Sequence, residues 1–317
     1  MVRKENPKAE FLRAHFSMVF LGYDKKEQTI EQTYEYVFFN NEVTLYPGEE
    51  VQDFFAEIEA LEQLQINETA IVSPSNLFKS CKTDITLTEI DQKGNSYKTE
   101  KLNTIWFLPG KKPKAYPYLT NGTIRRTYTN SLVCVSALQE EFLSRKLGEI
   151  AGNLVDTTQI NLSKMVVNMS FRRFVADKTF GELNIIKKGS LELHPITNAP
   201  QVIDVLFQNQ NFCPDWFSFS GELEQYEDIT HTISEHIRNG KDFKAHVERK
   251  TTLKLNTGWL LEEEIELLTE LIVSPLCFAN IKDKWIRLIP ISKKSLVYDT
   301  SQNIRSFIVE FQLSNQD

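Results

Sequence analysis

The sequence has little of what marks fibrous, membrane or secreted chains. Only 12 glycines and 11 prolines occur among 317 residues, which argues against a repetitive or linker protein. No window approaches the run of about 18 apolar residues that a membrane-spanning helix needs. The basic start Met1–Lys8 is not followed by the apolar stretch of a signal peptide. We therefore expect a chain that is made in a cytoplasm and has no membrane partner.

Cysteines are few and far apart. The four are Cys81, Cys134, Cys213 and Cys277, and no C-x-x-C pair occurs. This spacing excludes a zinc ribbon or a dithiol redox motif. A chain of this length does not need disulfides for stability, so free, buried thiols are expected.

The chain also lacks a basic excess. Its 36 lysines and arginines are outnumbered by 43 acids, for a formal charge of −7, so free nucleic acid is not an expected partner. Apolar residues make up 41% and charged residues 25%, which is ordinary for a chain with packed cores. The 21 phenylalanines, 10 tyrosines and 4 tryptophans favour strands. We predict a mainly β fold with a few helices (β-sandwich or α+β domains) in two domains, residues 1–180 and 181–317.

No constellation for catalysis, cofactor or metal binding stands out. His231 and His236 are five residues apart, whereas the two zinc ligands of H-E-x-x-H are four apart. The string Phe217–Gly221 has Phe219 where a nucleophilic serine would stand, and Gly148–Gly152 lacks the G-K-[ST] ending of a phosphate loop. No catalytic, cofactor-binding or metal-ligating residue is predicted, although a pair of glycosidase acids cannot be recognised by counting.

The N-terminal half shows alternating strand and helix signals. Two aromatic runs around Asn40 and Asn41 predict a hairpin, because Asn tolerates the left-handed backbone of such turns. A second hairpin is predicted within residues 81–108, and a strand begins at Met165 with apolar residues at every second position. Apolar residues at helical spacing predict helices at 51–63 and 137–155.

A basic, proline-rich segment separates these patterns. Residues 109–127 begin with Pro109, Gly110 and two lysines, which is typical of a loop. Lysine interleaved with tyrosine can bind an acidic or aromatic-lined partner. The predicted partner-contact residues are Lys111, Lys112, Lys114, Tyr116 and Tyr118. The alternative is a solvated loop tip.

The C-terminal segment has the clearest pattern. Phe243, Ala245, Val247, Thr251, Leu253 and Leu255 fall on one face of a predicted strand. Asn256–Gly258 ends it, and Thr257 can cap a helix at 259–272 whose first turn holds Glu262, Glu263 and Glu264. A hairpin follows around Lys282–Lys284, then a last strand at 307–313. We expect residues 243–313 to form one unit with the helix packed on strands.

This segment carries a resemblance to a known family. Asn256–Leu260, an acidic helix, Ile272–Pro275, the strand Trp285–Ile291 and the last strand follow in order, preceded by Trp216–Gly221. The block, about residues 200–317, resembles the C-terminal part of bacteriophage and prophage tail or baseplate structural proteins of the distal-tail kind. The resemblance implies a β-rich subunit without catalysis, stacked in a ring around a tail axis.

The expected function follows from the resemblance. It implies a structural subunit of a tail or baseplate that forms a homo-oligomeric ring, contacts other tail proteins, and becomes part of the virion after assembly in the host cytoplasm. Two alternatives remain open: a carbohydrate- or cell-surface-binding adhesin module, and a hydrolase with an unrecognised acid pair.

Overall fold

The computed structural model describes most of the chain. The described residues are 1–21, 27–57, 80–116, 118–128, 131–137, 151–162, 165–174, 186–188, 190–196, 199, 201–235, 240–281, 284–294 and 306–314. Their secondary structure is mainly β, with several antiparallel sheets and two α-helices. The predicted mainly β fold with few helices is therefore confirmed.

The chain separates into two compact units. The first contains the described residues of Met1–Leu64 and Ser75–Lys111, with Leu162, and the second contains the other described residues. The predicted boundary between residues 180 and 181 lies outside the described residues. The units instead divide at Lys111 and Lys112, because the segment after Lys111 packs with the C-terminal residues.

The first unit is built on one antiparallel sheet. Its elements are β1 (Val2–Arg3), β2 (Phe11–Leu21), β3 (Glu27–Val37), β4 (Glu42–Val43), α1 (Pro47–Glu57), β5 (Ser80–Ile90), β6 (Ser96–Lys101) and β7 (Ile105–Phe107). The strand order is β3-β2-β5-β6, with β7 also paired to β5. Alternate residues of β2, such as Phe16 and Phe20, are buried. Phe20 meets Phe55 of α1 edge to face at 5.2 Å.

Turn residues in this unit agree with the sequence pattern. Asn40 and Asn41 both have positive φ, at 50° and 62°, and Phe39 bridges Glu42 across them. The turn of the first predicted hairpin is therefore confirmed, but beyond this bridge β4 pairs with β1 and not with β3. Gly94, with φ 81°, lies in the turn between β5 and β6, so the second predicted hairpin is confirmed. Helix α1 begins at Pro47 rather than at residue 51, and its predicted end lies outside the described residues.

The second unit holds the longer strands and the second helix. Its strands are β8 (Ile124–Tyr128), β9 (Leu132–Ala137), β10 (Ala151–Leu162), β11 (Met165–Phe174), β12 (Ile186–Lys188), β13 (Leu191–Ile196), β14 (Ile203–Gln208), β15 (Pro214–Phe219), β16 (Leu223–Glu235), β17 (Asp242–Asn256), β18 (Cys277–Ile281), β19 (Lys284–Pro290) and β20 (Ile308–Leu313). A 3-10 turn, Glu262–Glu264, leads into α2 (Ile265–Val273). The largest sheet has the order β15-β14-β18-β19-β20-β17-β16, and two three-stranded sheets have the orders β10-β11-β9 and β12-β13-β8.

Helix α2 covers the inner face of the seven-stranded sheet. Its residues Leu267, Leu268 and Leu271 are at most 1% exposed. They belong to one core with Leu253, Leu255, Val309 and Phe311 of the sheet. The predicted packing of a helix on strands within residues 243–313 is confirmed, although the helix itself begins at Ile265 rather than at residue 259.

The predicted loop at 109–127 is right for the described residues up to 123, which lie in no helix or strand. It is wrong for the last four residues, because Ile124–Tyr128 form a strand parallel to β13. The loop is also not open to solvent throughout, since Ala115, Leu119 and Asn121 are buried. The predicted helix at 137–155 is also wrong where it can be seen, because residues 151–155 belong to strand β10. Residues 138–150 lie outside the described residues.

The described cysteines fit the prediction of free, buried thiols. Cys81, Cys213 and Cys277 are free and buried. Burial raises the pKa of the Cys81 thiol to about 11 and that of the Cys277 thiol to about 12. These thiols are therefore protonated and unreactive near neutral pH. The side chain of Cys134 lies outside the described residues.

Candidate partner interface

Strands β16 and β17 form a two-stranded ribbon that extends beyond the rest of their sheet. They pair with each other from Leu223 and Leu255 to Glu235 and Asp242. On its other side β17 pairs with β20 only over Thr252–Asn256. In the described structure the remaining residues of β17, 242–251, pair with β16 alone. Every residue from 224 to 233 and from 242 to 250 is exposed.

One face of this ribbon carries three exposed apolar side chains, each paired across the ribbon with Arg249, His231 or Lys244. Side chains alternate between the two faces of a strand, and directly paired residues share a face. The face that buries Leu253 and Leu255 in the core at the base therefore also carries Ile229, Ile233 and Val247 farther out. These three side chains are 48%, 65% and 41% exposed. We call Ile229, Ile233 and Val247 the ribbon stripe.

The opposite face of the ribbon carries paired polar side chains together with the exposed Tyr226 and Phe243. Thr252 donates a hydrogen bond to Asp228 at 3.2 Å, and Lys250 lies 3.1 Å from Glu248. Lys254 forms an ion pair with Glu310 at 2.9 Å, and this hydrogen bond raises the pKa of Lys254. Both faces of the outer part of the ribbon are therefore uncovered in the described structure.

The energetics of such a ribbon favour a partner. An isolated two-stranded hairpin is marginally stable in water. Fully burying an Ile or Val side chain contributes about 1.5–3 kcal/mol, so leaving the three members of the ribbon stripe exposed forgoes a substantial stabilisation. A register shift between Thr232 and Ile233 marks a bulge, which is a usual device against unwanted strand pairing. Together these features are typical of an arm that binds another surface.

Exposed isoleucines also lie on the outer face of the same sheet, beside Arg287, Glu310 and Gln312. Ile289 pairs with Gln312, which pairs with Thr252, a residue of the polar ribbon face. Ile289, Ile291 and Ile308 are 44%, 38% and 50% exposed, while Leu288 on the other side of β19 is buried. We call Arg287, Ile289, Ile291 and Ile308 the outer stripe. Because it faces away from the core, it faces the opposite way from the ribbon stripe.

The predicted contact residues are divided between surface and core. Lys111 and Lys112 are exposed, and the Lys112 ammonium lies 5.0 Å from the centre of the Tyr116 ring. Lys114 forms an ion pair with Glu266 of helix α2. Tyr118 is fully buried, which corrects its prediction as a contact residue. The structure therefore uses part of this segment internally.

Two buried ion pairs hold this segment on the C-terminal sheet. Arg125 donates to Asp215 at 2.6 and 3.1 Å, and its guanidinium lies 4.1 Å from the centre of the Trp216 ring. Arg126 donates to Glu264 at 2.6 Å, and the Glu264 carboxylate also accepts the backbone N–H of Arg126 at 3.0 Å. Glu264, predicted as a plain first-turn acid, is instead 3% exposed and a partner of arginine.

One carboxyl group of the second unit, that of Glu270, has a strongly raised pKa. Burial raises the pKa of Glu270 to about 7, against a lowering effect of the hydrogen bond that Asn121 donates to it. Its second carboxyl oxygen is buried without a hydrogen-bond partner. A single shifted acid does not make an acid–base pair. No cluster of three or more His, Cys, Asp or Glu side chains suited to a metal ion occurs in the described part of the chain.

A surface cavity of about 340 Å³ opens in the first unit. Its lining includes Arg3, Glu5, Leu12, Glu89 and Lys98. Glu89 is 4% exposed, and its two oxygens accept the backbone N–H groups of Glu5 and Asn6 at 2.6 and 2.9 Å. Lys98 pairs with Glu5 at 2.6 Å. Since these charged groups already bind one another, the cavity offers a weaker case for a ligand than the ribbon does for a partner.

The sequence pattern predicts one strand of the ribbon, β17, but neither β16 nor the ribbon itself. The alternation at residues 243–255 predicts a core-facing strand, but Val247 is exposed. The bulge also changes the register, so that Phe243 pairs with Ser234. Strand β16 was not predicted, because its apolar residues Tyr226, Ile229 and Ile233 are separated by polar ones.

Neither α-helix of the described part of the chain is long and apolar enough to cross a bilayer.

Comparison with known proteins finds no relative of this chain. No family model, no curated protein and no solved structure matches the chain.

Proposed function

We propose that this protein is a structural subunit of a bacteriophage tail or baseplate. In this role it forms a homo-oligomeric ring, contacts neighbouring tail proteins and resides in the virion after assembly in the host cytoplasm. The resemblance of residues 200–317 to tail and baseplate proteins supports the proposal. The observation that carries it is the exposed ribbon of β16 and β17, whose apolar stripe continues the core face of its sheet.

The ribbon favours assembly over a role as a lone binding module or enzyme. A two-stranded ribbon that extends away from its sheet has little core of its own and is marginally stable without a partner surface. A protein that builds a particle must present such surfaces before assembly and bury them after it. The ribbon stripe and the outer stripe provide two such surfaces that face in opposite directions. Subunits joined through two different surfaces close into a ring when the rotation between them divides a full turn.

The proposal is tested by native mass spectrometry and electron microscopy of the purified full chain over a series of concentrations. We expect one closed oligomer of defined subunit number that becomes more abundant as concentration rises. A mixture of unrelated aggregates, or a monomer both alone and after addition of the adjacent gene products, would contradict the proposed role.

A second function is favoured by one specific observation. Trp259 is 74% exposed, next to Gly258 with a φ of 65°. An exposed aromatic ring is the feature by which an adhesin module would bind a glycan. In that case the wild-type chain would bind glycans on an array, and Trp259→Ala would abolish the signal. We place this function second because one ring is a smaller surface than the ribbon.

A further inference from the structure

We infer that ionisation of Glu270 releases residues 112–114 from helix α2, so that this part of the chain opens as pH rises. Helix and segment both belong to the second unit. The response goes beyond the proposed function, which concerns how subunits assemble. It places a local opening beside Lys112 and Tyr116, which are exposed and lie within the predicted contact segment.

The Asn121 side chain joins the segment to the helix. It donates a hydrogen bond to one oxygen of Glu270 and accepts the backbone N–H of Lys114 at 2.9 Å. The Lys114 ammonium forms an ion pair with Glu266, one turn earlier on the same helix. Asn121 itself is 6% exposed. Glu270 and Lys114 therefore share one amide, and a change at the carboxyl reaches the segment through it.

The site suits a neutral carboxyl better than a carboxylate. The second oxygen of Glu270 is buried and has no hydrogen-bond partner in the described part of the chain. A negative charge at that oxygen loses its hydration without gaining a donor, which is costly. Asp215 of β15 adds a second acid nearby, and the Arg125 guanidinium of β8 is already bound to Asp215.

These surroundings set the direction of the response. Burial has the largest effect and raises the pKa of Glu270 to about 7, and the charge of Asp215 acts in the same direction. The hydrogen bonds from Asn121 and from the backbone of Gln210 lower the pKa, as does the charge of Arg125. A carboxyl that opens to water regains a pKa near its ordinary value of 4.5. The open form therefore binds the proton less tightly than the closed form, and opening is favoured as pH rises.

Contacts on the far side of the segment confine the opening. The backbone N–H of Leu119 donates to a carbonyl oxygen of β9 at 2.8 Å, and that of Ala115 donates to Thr120 at 3.1 Å. These bonds do not involve the helix carboxyl, so they stay in place when Asn121 swings away. Water that enters then supplies the hydrogen bond that the buried oxygen lacks.

Amide hydrogen exchange of the full chain, measured by NMR, tests the switch. The Lys114 amide is the probe, because its acceptor is the Asn121 side chain. With a pKa of about 4.5 in the open form and about 7 in the closed form, its protection factor should fall roughly tenfold between pH 6 and pH 8. The Leu268 amide, in the buried part of the same helix, is the reference and should be at least about tenfold better protected at both pH values.

Two variants separate the switch from a merely structural contact. Glu270→Gln cannot ionise and should leave the Lys114 amide equally protected at pH 6 and pH 8. Glu266→Gln removes the ion pair with Lys114. It should lower the protection at both pH values and preserve the roughly tenfold ratio between them.

Each result supports or overturns the switch. A protection factor of Lys114 that is the same at both pH values in the wild type would overturn it, as would an equal pH dependence in Glu270→Gln. Exchange of Lys114 as slow as that of Leu268 would show that the amide opens only when the whole unit unfolds, which also overturns it. Self-association enters none of these outcomes, so the proposed function stands or falls separately.

Discussion

Arg126 and Glu264 form a buried ion pair between segments that are 138 residues apart in sequence. The Arg126 Nε donates to Glu264 at 2.6 Å, and both side chains are 5% exposed. Glu264 also accepts the backbone N–H groups of Arg126 and Leu261, each at 3.0 Å. One carboxylate thus joins strand β8 to the turn that begins helix α2. It explains why the segment after Lys111 belongs to the second unit.

Removing this carboxylate should destabilise the fold strongly. Glu264→Ala leaves a buried guanidinium without its counter-ion, which typically costs about 3–5 kcal/mol. Urea denaturation followed by circular dichroism measures the loss. The matched control is Glu263→Ala at an exposed neighbour, which should change the free energy of unfolding by less than about 0.5 kcal/mol. Equal effects of the two substitutions would show that the ion pair is not what holds β8 in place.

Truncation in the core of the second unit should have a similar effect for a different reason. Leu268 is fully buried among the residues of the sheet core. Leu268→Ala should cost about 2–5 kcal/mol, because it removes apolar contacts and leaves a cavity. Val273→Ala, at a side chain that is 74% exposed, is the control and should be nearly neutral. A loss below about 1 kcal/mol for Leu268→Ala would contradict the packing of α2 on the sheet.

The stability of the protein should fall between mildly acidic and neutral pH through Glu270. Burial raises the pKa of this carboxyl from 4.5 to about 7, so the folded state holds its proton more tightly than the unfolded state. The stabilising contribution is complete below about pH 4.5 and is lost as pH rises through about 7. Glu270→Gln keeps the neutral shape and should raise the free energy of unfolding at pH 8 by up to about 3 kcal/mol.

Urea denaturation at pH 5 and pH 8 measures this effect. The difference between wild type and Glu270→Gln should be small at pH 5 and large at pH 8. The exposed Glu263→Gln should show no such dependence on pH. A constant difference at both pH values would mean that Glu270 titrates normally in the folded protein.

Charge on the ribbon stripe should weaken self-association without unfolding the chain. Ile233→Asp replaces an exposed apolar side chain with a carboxylate, and losing an apolar anchor of more than about 1.4 kcal/mol weakens binding at least about tenfold. Thr232→Asp puts the same charge on the other face of the same strand and should change the dissociation constant little. Sedimentation velocity measures both. Equal weakening by the two variants would favour a general charge effect over a specific contact.

The sequence predicted elements whose signal is local. The hairpin turns at Asn40 and Gly94 and the strands β11, β17, β19 and β20 follow from turn residues and from alternation. The buried position of Trp216 also agrees with its place at the start of a strand. These features depend on neighbours within a few residues, which a single sequence contains.

Features that depend on distant partners were missed. Pro109, Gly110 and the lysines indicated a loop at 109–127, but Arg125 and Arg126 find their carboxylates about 90 and 138 residues away. The ribbon was missed for a related reason. Alternating apolar residues at 243–255 predict a face that is buried, but they do not tell whether the burying surface belongs to the same chain. Only the strand pairing showed that β17 extends past β20.

The most direct test of the proposed role is the structure of the assembled tail particle by electron cryomicroscopy. The account predicts copies of this chain repeated around the tail axis. It also predicts that the ribbon of β16 and β17 of each copy lies against a neighbouring subunit. A particle that lacks this chain, or that holds a single copy with the ribbon in open solvent, would contradict it.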